Sequence, residues 1–102
     1  YWIVDEWLIF KPEFNEELID YCGIINNYKK IMFSNYNNPS ISIKINNEYK
    51  KKFFANYIKN NFNQEIDLLN NINLTHLTFE DDFDKEINLS NNINLLHLTL
   101  GI

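Results

Sequence analysis

The chain has 102 residues, of which 45% are hydrophobic and 16% aromatic, so its composition excludes a disordered tail and suits one domain with a modest core. No apolar run approaches the roughly 18 residues that a membrane span requires, and the one cysteine, Cys22, has no partner for an internal disulfide. The net charge of -5 divides into an acidic block at residues 1–20, a lysine-rich block at 21–61 and a second acidic block at 62–102. We therefore expect a cytoplasmic protein, located in the cytoplasm of a host cell or in a virion if the chain is viral, that has no contact with a membrane.

The lysine-rich block contains no arginine, and neither does any other part of the chain. Arginine is the preferred bidentate reader of guanine and phosphate, so its absence argues against nucleic-acid recognition. A solvated lysine face is the simpler interpretation of the block. Polyanion binding is kept as a minor alternative, and it would use Lys44, Lys50, Lys51, Lys52 and Lys59.

An apolar cluster lies close to the start of the chain and contains Trp2, Trp7, Ile9 and Phe10. This cluster is either the core of an N-terminal cap or a contact for a partner. The next segment, residues 12–22, is predicted to form a short helix. Pro12 suits the first turn of a helix and Gly23 is a typical end signal.

Two strands are predicted in the middle of the chain, at residues 30–33 and 40–45. The second prediction depends on the alternation of Ile41, Ile43 and Ile45 with polar residues. Residues 36–39 are predicted to form the turn between them, and residues 46–47 another turn. A helical stretch is then favoured by the spacing of five apolar residues, Tyr49, Phe53, Phe54, Tyr57 and Ile58.

The last third of the chain repeats itself with a constant offset of 21 residues. Residues 62–80 align with residues 83–101, and twelve of the nineteen aligned positions are identical. A period of about 20–30 residues is typical of solenoids, in which each coil covers the apolar face of its neighbour. We therefore predict an α+β fold. Leucine-rich-like β-solenoid coils occupy residues 62–82 and 83–102, and residues 1–61 form a mixed helix and strand cap with degenerate coils.

Each repeat contains a short strand pattern, Leu-x-x-Leu-x-Leu in form, which begins at Leu74 in the first copy and at Leu95 in the second. Side chains alternate between the two faces of a strand, so Leu77 and Leu98 are expected to be buried and adjacent. The alternate residues should face outward and form the predicted partner-binding surface: His76, Thr78, His97 and Thr99.

The segments Phe-Asn-Gln-Glu-Ile at residues 62–66 and Leu-Thr-His-Leu-Thr-Phe at 74–79 resemble the FNIP repeat, a leucine-rich-like unit of slime moulds and of giant viruses of amoebae. The resemblance covers residues 62–102. Glu65 and Glu86 stand where that family has proline, and Asp84 replaces the asparagine of the second copy. Members of the family often carry an F-box, so the resemblance implies a role as the substrate-recognition part of a ubiquitin ligase.

Candidate catalytic and metal sites are weak in this sequence. His76 and His97 are the only histidines, whereas a closed zinc site takes four ligands. The acidic run at residues 80–86 lacks the glycine-bearing spacing of an EF-hand, so a solvated turn explains it better. No serine is placed with a base, and no glycine-rich phosphate loop is present. We expect a protein without enzymatic activity, cofactor or metal.

The functional prediction is a protein–protein interaction module that presents a strand face to its partner. The alternative is a structural component of a virion or another assembly. Two clear coils fall short of the three or so repeats that usually make a solenoid stable. We therefore expect either further repeats or pairing of another chain with the open C-terminal edge, including self-association.

Overall fold

Five strands form one open sheet in the computed structural model, which describes residues 1–45, 57–80 and 82–100. They are β1 (Trp2–Val4), β2 (Trp7–Phe10), β3 (Lys30–Phe33), β4 (His76–Thr78) and β5 (His97–Thr99), and their order in the sheet is their order in the chain. β1 pairs antiparallel with β2, and every later pairing is parallel. A 3-10 turn (Ile19–Tyr21) leads into α1 (Cys22–Ile25), and α2 (Pro39–Ile45) follows β3.

The inner face of the sheet carries the main core. Parallel register places Leu8, Ile31 and Leu77 in one row. A second row contains Phe10 and Phe33, whose rings stack at 4.9 Å between centroids. All five side chains are buried. Since the strands are only three or four residues long, side-chain packing of these rows stabilises the sheet more than backbone pairing alone can.

Three segments pack on one another in the same way, and we name them unit 1 (residues 14–33), unit 2 (62–80) and unit 3 (83–100). The backbone N–H of Asn63 donates to Oδ1 of Asn15 at 2.9 Å, and the N–H of Asp84 donates to Oδ1 of Asn63 at 3.0 Å. Phe62 stacks between Phe14 and Phe83, with ring centroids 5.9 Å from each. The contacts that join unit 1 to unit 2 are therefore of the same kind as those that join unit 2 to unit 3.

Buried asparagines also join the units. Nδ2 of Asn71 donates to the carbonyls of Ile25 and Tyr28 at 2.7 and 2.8 Å. Nδ2 of Asn92 donates to the carbonyls of Leu68 and Asn71 at 2.9 and 2.8 Å. Each asparagine thus satisfies two carbonyls of the preceding unit, in a place where unpaired polar groups would be costly.

The helix predicted at residues 12–22 is wrong. The Phe14 ring packs against the Phe10 ring with centroids 4.6 Å apart, and the N–H of Asn63 donates to Oδ1 of Asn15 across 48 residues. Residues 12–13 form a turn, residues 14–17 have no regular secondary structure, and helical structure starts only at Ile19. Tertiary contacts override the local helix signals of Pro12.

The strand predicted at residues 40–45 is also wrong, because this segment is the helix α2. Oδ1 of Asn38 accepts a hydrogen bond from the N–H of Ile41 at 3.1 Å, and Pro39 occupies the first turn.

The strand predicted at Lys30–Phe33 is confirmed. The turn predicted at residues 46–47 and most of the helix predicted through Tyr49 and Ile58 lie outside the described residues.

The coarse fold prediction is confirmed, since the chain forms a small mixed α+β domain with one five-stranded sheet and short helices. Pairing of Leu77 with Leu98 is also confirmed. Leu77 is 1% exposed, but Leu98 is 43% exposed, which corrects the expected burial of the second leucine. Leu77 is covered by unit 3, whereas nothing in the described residues covers Leu98. The leucine-rich-like solenoid stays a prediction.

Candidate functional site

The outer face of the sheet carries two parallel rows of side chains. The upper row contains Trp7, Lys30, His76 and His97, which are paired in register from β2 to β5. The lower row contains Ile9, Met32, Thr78 and Thr99. All four residues predicted to bind a partner therefore lie on one face, two in each row.

The lower row is mostly inaccessible. Ile43 of α2 packs against the cluster that contains Ile9 and Met32, and Thr78 is the next residue of that row. Thr78 is only 2% exposed, so its predicted exposure is wrong, whereas Thr99 is half-buried. The sequence pattern gave the correct face for Thr78, but it did not predict α2, the helix that packs on that row.

The three aromatic rings of the upper row contact one another, and Lys30 lies beside them. The rings of His76 and His97 stack with centroids 4.4 Å apart and planes 26° apart. Trp7 meets His76 edge to face at 5.7 Å. Nζ of Lys30 lies 5.6 Å from the Trp7 ring centroid and 3.8 Å from a carboxylate oxygen of Glu6. We name Glu6, Trp7, Lys30, His76 and His97 the histidine strip.

The hydrogen bonds of His76 assign its tautomer. Oγ1 of Thr75 lies 3.1 Å from the carbonyl oxygen of Lys29 and 2.8 Å from Nδ1 of His76. A hydroxyl has one proton and a carbonyl only accepts, so Thr75 donates to Lys29 and accepts from Nδ1–H of His76. In the neutral ring, Nε2 of His76 therefore holds the free lone pair.

The surroundings of His76 also set its charge. Partial burial, the neighbouring His97 and the Lys30 ammonium lower the pKa of His76 below its usual 6.5, and Glu6 opposes them only in part. These surroundings favour the neutral form of the His76 imidazole. The Lys30 ammonium and the Glu6 carboxylate lie side by side, so the strip combines aromatic surface with little net charge.

The stacked histidines are poorly arranged to share one metal ion. The ring nitrogens hold their lone pairs in the ring plane, and two nearly parallel rings direct them side by side rather than to one point. Among residues 1–45, 57–80 and 82–100, no group of three or more His, Cys, Asp or Glu side chains could hold a metal ion.

The other sequence candidates do not form one site. Within the acidic run, Glu80 is buried and Asp82 pairs with Lys59 at 3.0 Å, while Asp81 is outside the described residues. Cys22 is exposed and donates to the carbonyl of Ile19 at 3.3 Å. It lies at an open groove of about 670 Å³ that is also lined by Glu17, Leu18, Glu65, Ile66 and Lys85.

Two members of the histidine strip, Glu6 and Lys30, were not predicted from the sequence, and Trp7 was predicted only as part of the N-terminal apolar cluster. A signal for Lys30 was available, because Ile-Met-Phe at residues 31–33 resembles Leu-Thr-Phe at residues 77–79. That alignment places Lys30 in register with His76.

Comparison of the chain with protein-family models, with curated proteins and with solved structures found no match. Of the helices in the described part of the chain, none is long and apolar enough to cross a bilayer.

Proposed function

We propose that this protein is a non-catalytic interaction module whose histidine strip contacts a protein partner. The observation that supports this proposal most is the continuity of the strip across four adjacent strands, in a face where the neighbouring row is covered. We further propose that units 1 to 3 are coils of a leucine-rich-like solenoid related to the FNIP repeat. Selection of substrates for a ubiquitin ligase, which that resemblance implies, would use the same strip.

The chemistry of the strip suits a protein surface. The stacked imidazoles offer flat, rigid contact area, and aromatic surfaces are enriched at protein interfaces. The buried Trp7 indole supports the His76 ring from below. Nε2 of His76 offers an acceptor for one hydrogen-bond donor of the partner. Lys30 lies between Trp7 and His76 in the row and pairs with the exposed Glu6, and partly solvated charge pairs of this kind contribute to specificity more than to affinity.

Site-specific photocrosslinking tests the proposal. Benzoylphenylalanine replaces the exposed His97 in one sample and the exposed Asn88, on another surface of unit 3, in the control. We expect a discrete adduct to a different protein in cell lysate at position 97 and none at position 88. Excess wild-type chain should compete for the adduct, and the variant His76→Ala with His97→Ala should not.

Equal adducts at both positions, or equal competition by the double variant, would contradict the proposal. An adduct with the mass of two copies of the chain is assigned to self-association and does not count as a partner.

A structural role in an assembly is the second candidate, and one observation favours it. The end of unit 3 that faces away from unit 2 exposes four apolar side chains, with exposed fractions from 43% to 84%: Ile93, Leu96, Leu98 and Leu100. Apolar surface of this kind is typical of interfaces between subunits.

A further inference from the structure

We infer that the edge of β5 is a self-association surface, at which a second copy of the chain pairs antiparallel about a two-fold axis through Leu98. Equivalent leucines of units 2 and 3 are buried to different extents. Leu74 and Leu77 in unit 2 are 0% and 1% exposed, whereas Leu98 at the equivalent position of unit 3 is 43% exposed and Leu95 is half-buried. The same side chains are buried in unit 2, where unit 3 packs on them, and exposed in unit 3, on which no other described residues pack.

The backbone of β5 has hydrogen-bonding groups available at this edge. The N–H of His97 donates to the carbonyl of Thr75 at 3.1 Å, and the carbonyl of Thr99 accepts from Phe79 at 2.8 Å. In a parallel ladder, alternate residues direct both backbone groups to opposite sides of the strand. The N–H and C=O of Leu98 are therefore directed away from β4, toward the free edge.

This arrangement is complementary to itself. In an antiparallel pair, two residues that lie directly opposite can exchange both of their N–H···O bonds. An axis at Leu98 places Leu98 opposite Leu98 of the second copy and His97 opposite Thr99. Because opposed residues face the same side of a sheet, the leucines would extend the inner core and the histidines would extend the outer face.

The absence of charged residues near β5 also favours a second copy of the chain at this edge. No Asp, Glu, Lys or Arg lies between Asn88 and Leu100, so two copies of this edge would meet without like-charge repulsion. The other edge strand of the sheet is β1, which runs antiparallel to β2 and so to β5. A second copy that extended the sheet from β5 with its own β1 would therefore not repeat the parallel pairing that joins β4 to β5. Pairing of β5 with β5 of a second copy about a two-fold axis is consistent with the uncharged edge and with the direction of β1. Isologous contacts of this kind are the commonest in oligomers.

Sedimentation of the 102-residue chain across micromolar to millimolar concentrations is the first test. We expect a monomer–dimer equilibrium, and we expect Leu98→Lys to raise the dissociation constant by about tenfold or more, because a charge at an open edge blocks strand addition. Circular dichroism confirms that the variant is folded. A wild-type chain that stays monomeric over this range would overturn the inference.

Cysteine crosslinking tests the register and does not depend on that variant. In a Cys22→Ser background, Leu98→Cys should form a disulfide dimer, since the Cα atoms of a hydrogen-bonded antiparallel pair lie about 5.5 Å apart. The matched control, His97→Cys, should not crosslink to itself, because the diagonal separation of about 7–8 Å is too long. A mixture of His97→Cys with Thr99→Cys should give the heterodimer. Crosslinking of His97→Cys with itself as fast as Leu98→Cys would overturn the inferred axis.

Discussion

The imidazole ring of His76 stacks on that of His97 at 4.4 Å, and the two residues occupy the same position of consecutive units. The stack therefore results from the repeat, in which parallel strands place equivalent side chains side by side. Two rings at this separation disfavour a second positive charge, and His97 is one of the groups that lower the pKa of His76.

The first prediction concerns this coupling. His97→Gln removes the repulsion from the second ring and should raise the pKa of His76, whereas Glu6→Gln removes an attraction and should lower it further. Titration followed by NMR of the His76 ring measures both changes. Shifts of the same sign in the two variants would contradict the electrostatic account of the strip.

The second prediction concerns stability and pH. The pKa of His76 is lower in the folded state than the 6.5 of an unfolded histidine, so the unfolded chain binds more protons below pH 6.5. The free energy of unfolding should therefore fall as the pH drops through 6.5 and stop falling, for this group, below the folded pKa. Urea denaturation of wild type and of His76→Gln on both sides of pH 6.5 isolates the effect, which should be smaller in the variant.

The third prediction uses the repeat as its own control. Leu77→Ala should lower the free energy of unfolding by about 2–5 kcal/mol, because Leu77 is fully buried. Leu98→Ala makes the same change at the equivalent position of unit 3 and should cost clearly less in dilute solution, since Leu98 is 43% exposed. Equal losses would show that the inner row is covered at both positions.

The fourth prediction concerns the phenylalanine stack. Phe62 is 1% exposed and stacks on Phe33 at 4.0 Å and on Phe14 and Phe83 at 5.9 Å. Phe62→Ala should cost about 3–5 kcal/mol in thermal or urea unfolding. Ile93→Ala, at a side chain that is 84% exposed, should change stability by about 0.5 kcal/mol or less.

The fifth prediction concerns the buried asparagines. Asn71→Ala removes the donor of two carbonyls, those of Ile25 and Tyr28, and should cost about 1–3 kcal/mol. Asn94→Ala is the matched control, since its Nδ2 donates to the carbonyl of Ile72 at the surface and water can replace it. A loss at Asn71 no larger than that at Asn94 would contradict a structural role for the buried amide.

The sequence was most informative where a pattern was repeated. The constant offset of 21 residues placed His76 beside His97 and Leu77 beside Leu98, because a fixed period in sequence becomes a fixed register in space. The face of Thr78 was also predictable from strand alternation. Its burial was not, since it depends on what packs on that row.

Unit 1 was missed because two features hide its period. From Phe14 to Phe33 it is two residues longer than the corresponding stretch from Phe62 to Phe79, and residues 34–61 separate it from unit 2.

α2 was mistaken for a strand for a different reason. The prediction used the alternating isoleucines that follow Pro39 and did not consider the cap that Asn38 supplies to the helix. The alternation of isoleucines predicts a strand, whereas the Asn38 cap favours a helix. The packing of Ile43 on the sheet agrees with the helix.

The buried amides of Asn71 and Asn92 have a consequence for how such a gene can change length. Each amide bonds only to carbonyls of the unit before it, and the two sets of contacts have the same chemistry. Recombination between the two copies that removes or duplicates one period of 21 residues therefore leaves every remaining amide with acceptors. Loss of a single residue from a strand instead turns its alternate side chains to the wrong face. Gain or loss of one whole period is thus compatible with these contacts, whereas loss of a single strand residue is not.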